Sequence, residues 1–522
     1  MKPAKQKRSR PSVKLPQLQA LDLLSPRKLE QISSHGKLQN ATADQLEAID
    51  LILAGSLCQS PKDLEMALTG AAGTGKSYVV EILRDCLTLI GHKLAINAPT
   101  NKAVQSLSRL GVLGAETIHK AYRIVPKDFD PQTGQQLFLP LWEDKPSEQS
   151  RAPIQQDKTF VIVDESSMIG VPLYKIMVDA VNLWPIQDEG DYRLYPKILW
   201  IGDLAQLPPI GHPKTPCFEN CFVSYNLTRI VRYQGPVLEY ATQLRQNLTS
   251  ETLPSYTKVL SPNPEFGNIY TFSDPRKWVE QFLIALNKGI DQGDPYFVRG
   301  LHARNYQVDH FNRIIRSHLY GHQAQPYEPG ERLIATEPCL DDSHDTPVTL
   351  LANSDECIVQ EVEECEVAVA HPATGERIQM MVYRLQVETD EQEVFCLRCL
   401  HPQSQPKLRA ILNELAETIK ANLLLKPDHK AKYYSGEALD WKHFYQFKNR
   451  FHLVQPAFNL TVHKAQGSTF EHCFLNMRDI AKPFVPREAN LQNRPDPEKY
   501  EIRNRATYVA WTRARKHVVI LV

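Results

Sequence analysis

The sequence has no surplus of charge: lysine plus arginine and aspartate plus glutamate each number 60, giving a formal net charge of zero. That excludes a protein that coats nucleic acid through global basicity, so any surface for a polyanion must be local. No apolar run reaches the roughly 18 residues of a membrane-spanning helix, so no membrane partner is expected. The basic opening "MKPAKQKRSRPSVK" is not followed by an apolar segment and does not read as a secretory signal. Residues 1–36 read instead as a disordered, solvated basic tail whose cations could bind phosphate backbones or serve as an address for a replication or repair protein. Paired cysteine spacing is also scarce. The ten cysteines are scattered, which fits reduced, mostly buried thiols. Cys396 and Cys399 in "EVFCLRCLH" are the one tempting pair. Cys357 and Cys365 lie at the wrong spacing to complete a zinc site, so a strand with half-buried cysteines is expected. A cytoplasmic location follows as an expectation.

What is present is an ordinary globular composition, 42% hydrophobic and 23% charged, in 522 residues. At roughly 100–200 residues per domain, that length suggests three or four domains. From Ala41 the pattern alternates. "DLEMALTGAAGTGKSYVVEILRDCLTLI" reads as strand, Gly-rich turn and amphipathic helix, and "KLAINAPTNKAVQSLSRL" repeats the unit. "KTFVIVDESSM" and "KILWIGDLAQLPPI" are buried apolar strands ending in polar loops. Such alternation predicts a parallel α/β sheet whose functional loops follow the strand C-termini. Between Arg123 and Lys158 the pattern breaks into short aromatic-apolar runs with proline, glycine and acids. These read as an inserted β-hairpin with "DPQTG" as its turn. A second alternating region starts near Tyr233. It is interrupted over about 341–450 by a β-rich insertion with a charged helical stretch, and resumes at "LVQPAFNLTVHKAQGSTF".

Gly70 to Ser77, "GAAGTGKS", matches G-x-x-x-x-G-K-[ST] between a strand and a helix. Its members Gly70, Ala71, Ala72, Gly73, Thr74 and Gly75 allow close backbone approach, so N–H groups and the helix dipole can cradle phosphates. Lys76 is expected to reach the β- and γ-phosphates and Ser77 to hold Mg²⁺. The second carboxylate such a site needs is in "FVIVDESSM". Asp164 would hold the metal, and Glu165 would orient and deprotonate the attacking water. Together they define a Mg²⁺-dependent nucleoside triphosphate hydrolase.

With "APTNKA", "TIHKAY", "VDESSM", "GDLAQLPPI", "TVHKAQGSTF" and "YVAWTRA" in this order, the chain resembles the RecD/Dda-like branch of the superfamily 1 helicases. The likeness covers about Thr42 to Val522. It implies two RecA-like P-loop domains, with a small β-hairpin insertion in the first and an SH3-like β-rich insertion in the second. The first domain would span 37–122 and 159–235, the hairpin 123–158, the second domain 236–340 and 451–522, and the SH3-like insertion 341–450. The implied activity is ATP-dependent 5′→3′ unwinding by a monomer that acts on single-stranded and forked duplex DNA in replication, recombination or repair.

The resemblance also lends roles to positions. Gln45 matches the glutamine that reads adenine, and Gln206 the γ-phosphate sensor. Arg232 matches a phosphate-contacting arginine, with Arg229 as a weaker competitor, and Arg513 matches the arginine finger. Gln466 and Gly467 match residues linking nucleotide to DNA. DNA contacts would come from Pro99, Thr100, Asn101, Thr117, His119, Asn305, Thr461, His463, Ser468 and Thr469. Their hydroxyls, amides and imidazoles suit phosphates rather than base edges. The hairpin occupies the place of a strand-separating pin, where Phe129, Phe138 or Trp142 could stack on a base pair. "ALDWKHFYQFKNRFHLV" is aromatic and basic, compatible with packing over the bound strand. One departure stands out: "HARN" places Arg304 where relatives carry threonine before Asn305. Two other readings stay open, an RNA helicase and an ATP-switched DNA-binding adaptor that does not unwind.

Overall fold

The computed structural model describes residues 36–58, 63–109, 111–129, 136–140, 157–183, 186–187, 193–194, 196–209, 212, 214–231, 235–256, 258–263, 266–341, 348–424, 439–482 and 496–522. The chain divides into two compact units, Met1–Arg123 with Asp144–Arg232, and Ile124–Glu143 with Tyr233–Val522. The basic tail, the "DPQTG" turn, Trp142 and Arg232 lie outside the described residues, as does the side chain of Phe129.

The first unit is built on six parallel strands: β1 (Glu65–Gly70), β2 (Leu94–Ala98), β3 (Glu116–Thr117), β4 (Phe160–Val163), β5 (Lys197–Gly202) and β6 (Val223–Leu227). Their order is β6-β1-β5-β4-β2-β3. Strands β4 and β5 are buried at every position. That is why they read as continuous apolar runs: a parallel strand is covered on both faces. The helices include α1 (Ala43–Ser56), α2 (Lys76–Leu89), α3 (Asn101–Arg109), α4 (Ile118–Ala121) and α5 (Val171–Leu183). Helix α2 buries Val79, Val80, Leu83, Cys86 and Leu87, a single face at helical period. That face packs against Leu68, Ile96, Phe160 and Leu199 of the sheet. Each such side chain contributes about 1.5–3 kcal/mol by burial, so Leu83→Ala costs about 2–5 kcal/mol. All strand C-termini share one edge, which therefore carries the ends of β1, β2, β4 and β5 together.

The second unit repeats the plan with β7 (Ile269–Phe272), β8 (Val298–His302), β9 (Asn459–Thr461), β10 (Phe470–Asn476) and β11 (Ala514–Leu521), all parallel in the order β7-β11-β10-β8-β9. Its helices include α6 (Pro236–Gln246), α7 (Pro275–Asp291) and α8 (Asn305–Tyr320). Trp278 of α7 anchors the core, edge-on to Phe311 at 5.2 Å and Phe474 at 5.4 Å. The expectation of two α/β domains with parallel sheets is met.

The β-rich insertion is a five-stranded antiparallel sheet of Val394–Leu400, Arg377–Thr389, Glu356–Ala370, Arg332–Ala335 and Val454–Pro456, in that order. Strands at 332–335 and 454–456 thus join the sheet from outside 341–450. Helices α9 (Gln405–Leu424) and α10 (Trp441–Lys448) cover it. Trp441, Phe447 and Phe451 are buried in this module, and Phe447 and Phe451 pack with Val369, Met380, Val382, Ile411 and Leu415. These three aromatics are core side chains, while Phe444 and Tyr445 of α10 stay half-buried. A buried ion pair, Arg299 to Glu356 at 2.6 Å, ties the module to β8. Cys396 is exposed and Cys399 buried on the same strand. An odd spacing turns two strand residues to opposite faces, so this pair cannot chelate one ion. No cluster of metal-ligating side chains occurs among the described residues.

The hairpin exists as antiparallel strands Ile124–Phe129 and Gln136–Pro140, with Phe138 half exposed. No helix among the described residues is long and apolar enough to cross a membrane.

Candidate active site

Strand β1 ends at Gly70 and α2 begins at Lys76, so "GAAGTGKS" is the turn between them. Gly73 and Gly75 have φ of 84° and 82°, a region open to glycine. A Cβ on Gly75 would also collide with Nε2 of Gln45. Ala71, Ala72 and Thr74 are buried, and the Thr74 hydroxyl donates to the Ala71 carbonyl at 2.9 Å. Lys76 Nζ lies over the loop, donating to the carbonyls of Gly70 (2.9 Å) and Ala71 (3.1 Å). Ser77 follows in the first turn of α2. A cation and a row of N–H groups at a helix start form an anion cradle.

Strand β4 delivers Asp164 and Glu165 to the same edge. The Asp164 N–H donates to the Asn97 carbonyl of β2 at 2.9 Å, and its Oδ1 accepts from the Glu165 N–H at 2.8 Å. Glu165 has φ 51°, a strained value for a residue with a Cβ that costs about 1–3 kcal/mol. Its Oε2 is buried with no hydrogen-bond partner among the described residues. A carboxylate oxygen held that way is costly unless a polar group meets it. With the Ser77 hydroxyl and the Asp164 carboxylate, the donor set is one of hard oxygens and suits a divalent cation of the Mg²⁺ kind.

Strand β5 adds a residue that no motif reading singled out. Asp203 is fully buried; its Oδ2 accepts from the Ala72 N–H and its Oδ1 from the Ala205 N–H, each at 3.0 Å. The loop carrying Gln206 is thus tied to the phosphate cradle. Gln206 is itself buried, and its N–H donates to the Asp203 carbonyl at 3.1 Å.

The start of α1 closes the cradle from the other side. Thr42 and Gln45 form a reciprocal cap, the Gln45 Oε1 accepting from the Thr42 N–H at 3.0 Å. The Gln45 Nε2 donates to the Thr74 carbonyl at 3.0 Å. Beside it, Asp44 Oδ2 accepts from the N–H groups of Thr228 (2.8 Å) and Arg229 (3.1 Å), and its Oδ1 from the Tyr225 hydroxyl (3.0 Å). Burial opposes the charge of Asp44, but these donors outweigh it and hold the carboxyl below its usual range. Further along the same segment, the Val231 N–H donates to the Gly73 carbonyl at 2.8 Å. Arg229 is exposed; Arg232 follows outside the described residues.

The expected DNA contacts fall at three places. In the first unit, Pro99, Thr100 and Asn101 follow β2. Thr100 caps α3 by accepting from the Ala103 N–H at 3.3 Å, and Thr117 caps α4 by accepting from the Lys120 N–H at 3.3 Å. His119 is exposed. In the second unit, Asn305 and Thr461 sit at the C-terminal ends of β8 and β9, with His463 exposed beyond. Ser468 and Thr469 lie at the opposite edge, before β10, so "TVHKAQGSTF" crosses from one edge to the other. Gln466 is buried in that crossing, and Gly467 has φ 80°. Arg513 meets Ser468 there. It is buried, with Nη1 on the Ser468 carbonyl (3.1 Å), Nε on the Val509 carbonyl (3.1 Å) and Nη2 on the Thr512 hydroxyl (3.3 Å). Arg304 pairs with Asp479 at 2.7 Å, and the same carboxylate accepts from the N–H groups of Ala303 (2.8 Å) and Arg304 (3.0 Å). Asp479 was invisible to motif reading, since nothing near "NMRDIAKP" marks it.

The chain is similar to several known proteins. Residues 58–212 match the model of an AAA domain. The chain is 24% identical over 427 residues to the ATP-dependent DNA helicase dda of Enterobacteria phage T4, covering 79% of this chain and 88% of that protein. It is 28% identical over 145 residues to the ATP-dependent RecD2 DNA helicase of Deinococcus radiodurans, covering 28% of this chain and 16% of that protein. Among solved structures, a Pif1 helicase from Bacteroides in complex with ADP-AlF3 and ssDNA aligns over 92% of each chain, at 15% identity and a TM-score of 0.43.

Proposed function

We infer that the chain belongs to the RecD/Dda-like branch of the superfamily 1 helicases and is an ATP-dependent DNA helicase. The observation that carries this is the strap from Ala72 to Asp203, which joins the phosphate cradle to the "GDLAQLPPI" loop beside Asp164 and Glu165. The ordered motifs of the second unit, and the similarity to the phage helicase over most of both chains, support it further.

The residues then divide the chemistry. Lys76 and the loop N–H groups neutralise the β- and γ-phosphates of ATP. Ser77 and Asp164 would hold Mg²⁺, which when bound supplies charge neutralisation on the phosphate oxygens. Glu165 takes the proton of the attacking water, its strained backbone aiming the carboxylate before substrate arrives. Gln206 senses the γ-phosphate, and Arg513 and Arg232 neutralise charge on the transferring phosphoryl group. An amide oxygen has two lone pairs and an amide nitrogen two N–H groups. Thr42 and Thr74 use one of each on Gln45 and fix its orientation, leaving one donor and one acceptor for adenine. Gln466 and Gly467 link nucleotide to DNA.

Single-stranded DNA is gripped through its phosphates by Pro99, Thr100, Asn101, Thr117, His119, Asn305, Thr461, His463, Ser468 and Thr469. Sequence-independent contacts of this kind permit stepping. Steps run 5′→3′, and the hairpin splits the duplex. Strand separation on forks with a 5′ or a 3′ single-stranded tail tests this reading. Unwinding from the 5′ tail, with hydrolysis stimulated by DNA over RNA, is expected. Stimulated hydrolysis without strand separation points to an adaptor, and preference for RNA to an RNA helicase; either overturns the proposal.

A further inference from the structure

The phosphate cradle is gripped from outside the motif by neighbouring residues at the start of α1. Gln45 acts directly, through the Thr74 carbonyl. Asp44 acts at one remove. It takes the N–H groups of Thr228 and Arg229 at 2.8 and 3.1 Å, while two residues on the Val231 N–H holds the Gly73 carbonyl at 2.8 Å. Gly73 is one of the two left-handed glycines of the cradle. The peptide that follows it is held at both ends, its carbonyl by the Val231 N–H at 2.8 Å and its Thr74 N–H by the Ala71 carbonyl at 3.3 Å, and the Val231 bond is the end that depends on a segment outside the loop. The segment Thr228–Val231 carries this second grip from Asp44 to Gly73, beside the direct one that Gln45 makes on Thr74, and acts as a strap whose far anchor is a carboxylate.

The anchor is a strong one. A carboxylate that accepts two backbone N–H groups makes charge-assisted bonds, the stronger class of hydrogen bond, and it shares the single proton of the Tyr225 hydroxyl with Glu47 Oε2, at 3.0 and 2.9 Å. It also stands in the first turn of α1, where negative charge is favoured by the helix dipole. The bland alternative, that Asp44 only stabilises the start of α1, leaves the strap unexplained: the cap there is already made by Thr42 and Gln45.

We propose that Asp44 is a positioning residue for nucleotide binding, acting through the Thr228–Val231 strap on the Gly73 peptide of the phosphate cradle. This rests on the reading of the chain as an ATP hydrolase. It goes further in naming a carboxylate, next to Gln45 and with no role lent to it by the resemblance, that sets affinity for the phosphates. Loss of the anchor lets the Gly73 peptide turn, and the cradle must then be ordered when nucleotide binds, which lowers affinity before it lowers the chemical step.

The experiment measures DNA-stimulated ATP hydrolysis, binding of a fluorescent ADP analogue, and single-stranded DNA affinity for the full chain and for Asp44→Ala, Asp44→Asn and Tyr225→Phe. Thermal melts report the folded fraction. For Asp44→Ala, KM for ATP and Kd for the analogue rise together by about tenfold, as expected for loss of a charged acceptor. Its kcat changes less than threefold, and DNA affinity is unchanged. Asp44→Asn, which keeps the shape and one acceptor oxygen, recovers part of the affinity. Tyr225→Phe, the mildest change, shifts KM in the same direction by less. A purely structural Asp44 gives a lower melting temperature and a smaller active fraction, with KM and Kd as in the parent; that result overturns the proposal even where Asp44→Ala folds poorly, because Asp44→Asn and Tyr225→Phe report the same quantities. An unmutated chain that does not hydrolyse ATP at all refutes the hydrolase reading instead, so the two failures are distinct.

Discussion

The amide of Ala72 and the carboxylate of Asp203, 131 residues apart in the chain, are joined by a 3.0 Å hydrogen bond. It ties the phosphate cradle to the loop bearing Gln206. The second carboxylate oxygen is taken by the Ala205 N–H, so neither end of Asp203 can turn without leaving a buried N–H unsatisfied.

Asp203→Ala leaves two buried N–H groups without their acceptor, a penalty of about 1–3 kcal/mol each. The expected result is a melting temperature lowered by several degrees and kcat/KM for ATP reduced at least about tenfold. Asp203→Asn, which keeps one acceptor oxygen, should fall between. Steady-state ATPase with calorimetry checks this, and a normal kcat/KM in Asp203→Ala would show that the bond is incidental.

Arg513 is held by three acceptors in its own unit, among them the Ser468 carbonyl. Arg513→Ala should keep ATP and single-stranded DNA binding but lose turnover by up to about 10³-fold, the effect of removing a phosphoryl-stabilising arginine. Arg513→Lys should not rescue it, since one ammonium cannot serve the same fork of acceptors. If Arg513→Ala hydrolyses ATP normally and only melts earlier, the residue is a brace for Ser468.

Asp479 satisfies three donors at the start of α8: two backbone N–H groups and the Arg304 guanidinium. Its removal should destabilise the chain by about 2–4 kcal/mol, most of it from the N–H groups because Arg304 is partly exposed. Arg304→Ala should therefore cost much less than Asp479→Ala in urea denaturation. Equal costs would place the energy in the ion pair.

His302 is fully buried between Asn459 and Asn476, and burial pushes its pKa down to about 4. It stays neutral in the folded chain while the unfolded chain takes up a proton near 6.5. The sign follows: stability from this group is fully present above about pH 6.5 and is lost as pH falls toward about 4. Urea midpoints should drop between pH 7.5 and 5, and His302→Asn should show a shallower slope. Identical slopes in the two proteins would rule His302 out as a source.

Much of this was legible in the sequence because the chemistry is local. "GAAGTGKS" and "VDESSM" each hold their residues within one turn of a strand end, and the strands announce themselves as apolar runs. The residues that were missed, Asp44, Asp203 and Asp479, are lone acids in loops or first turns. Their partners are backbone N–H groups of distant segments, and a backbone amide leaves no mark on a sequence. The aromatic stretch at 439–453 divides in two: Trp441, Phe447 and Phe451 are buried in the module, while Phe444 and Tyr445 are half-buried. Arg304, a departure from relatives in the sequence, pairs in the fold with Asp479.

The most direct test of an ATP-driven strand-separating motor is release of the labelled strand from a fork with a 5′ single-stranded tail, with Lys76→Ala run in parallel. The full chain should separate the strands with ATP and Mg²⁺ and should fail on the matching 3′-tailed fork, while Lys76→Ala, folded to the same melting temperature, separates neither. Equal unwinding by Lys76→Ala, or none by the full chain under conditions where it hydrolyses ATP, would contradict it.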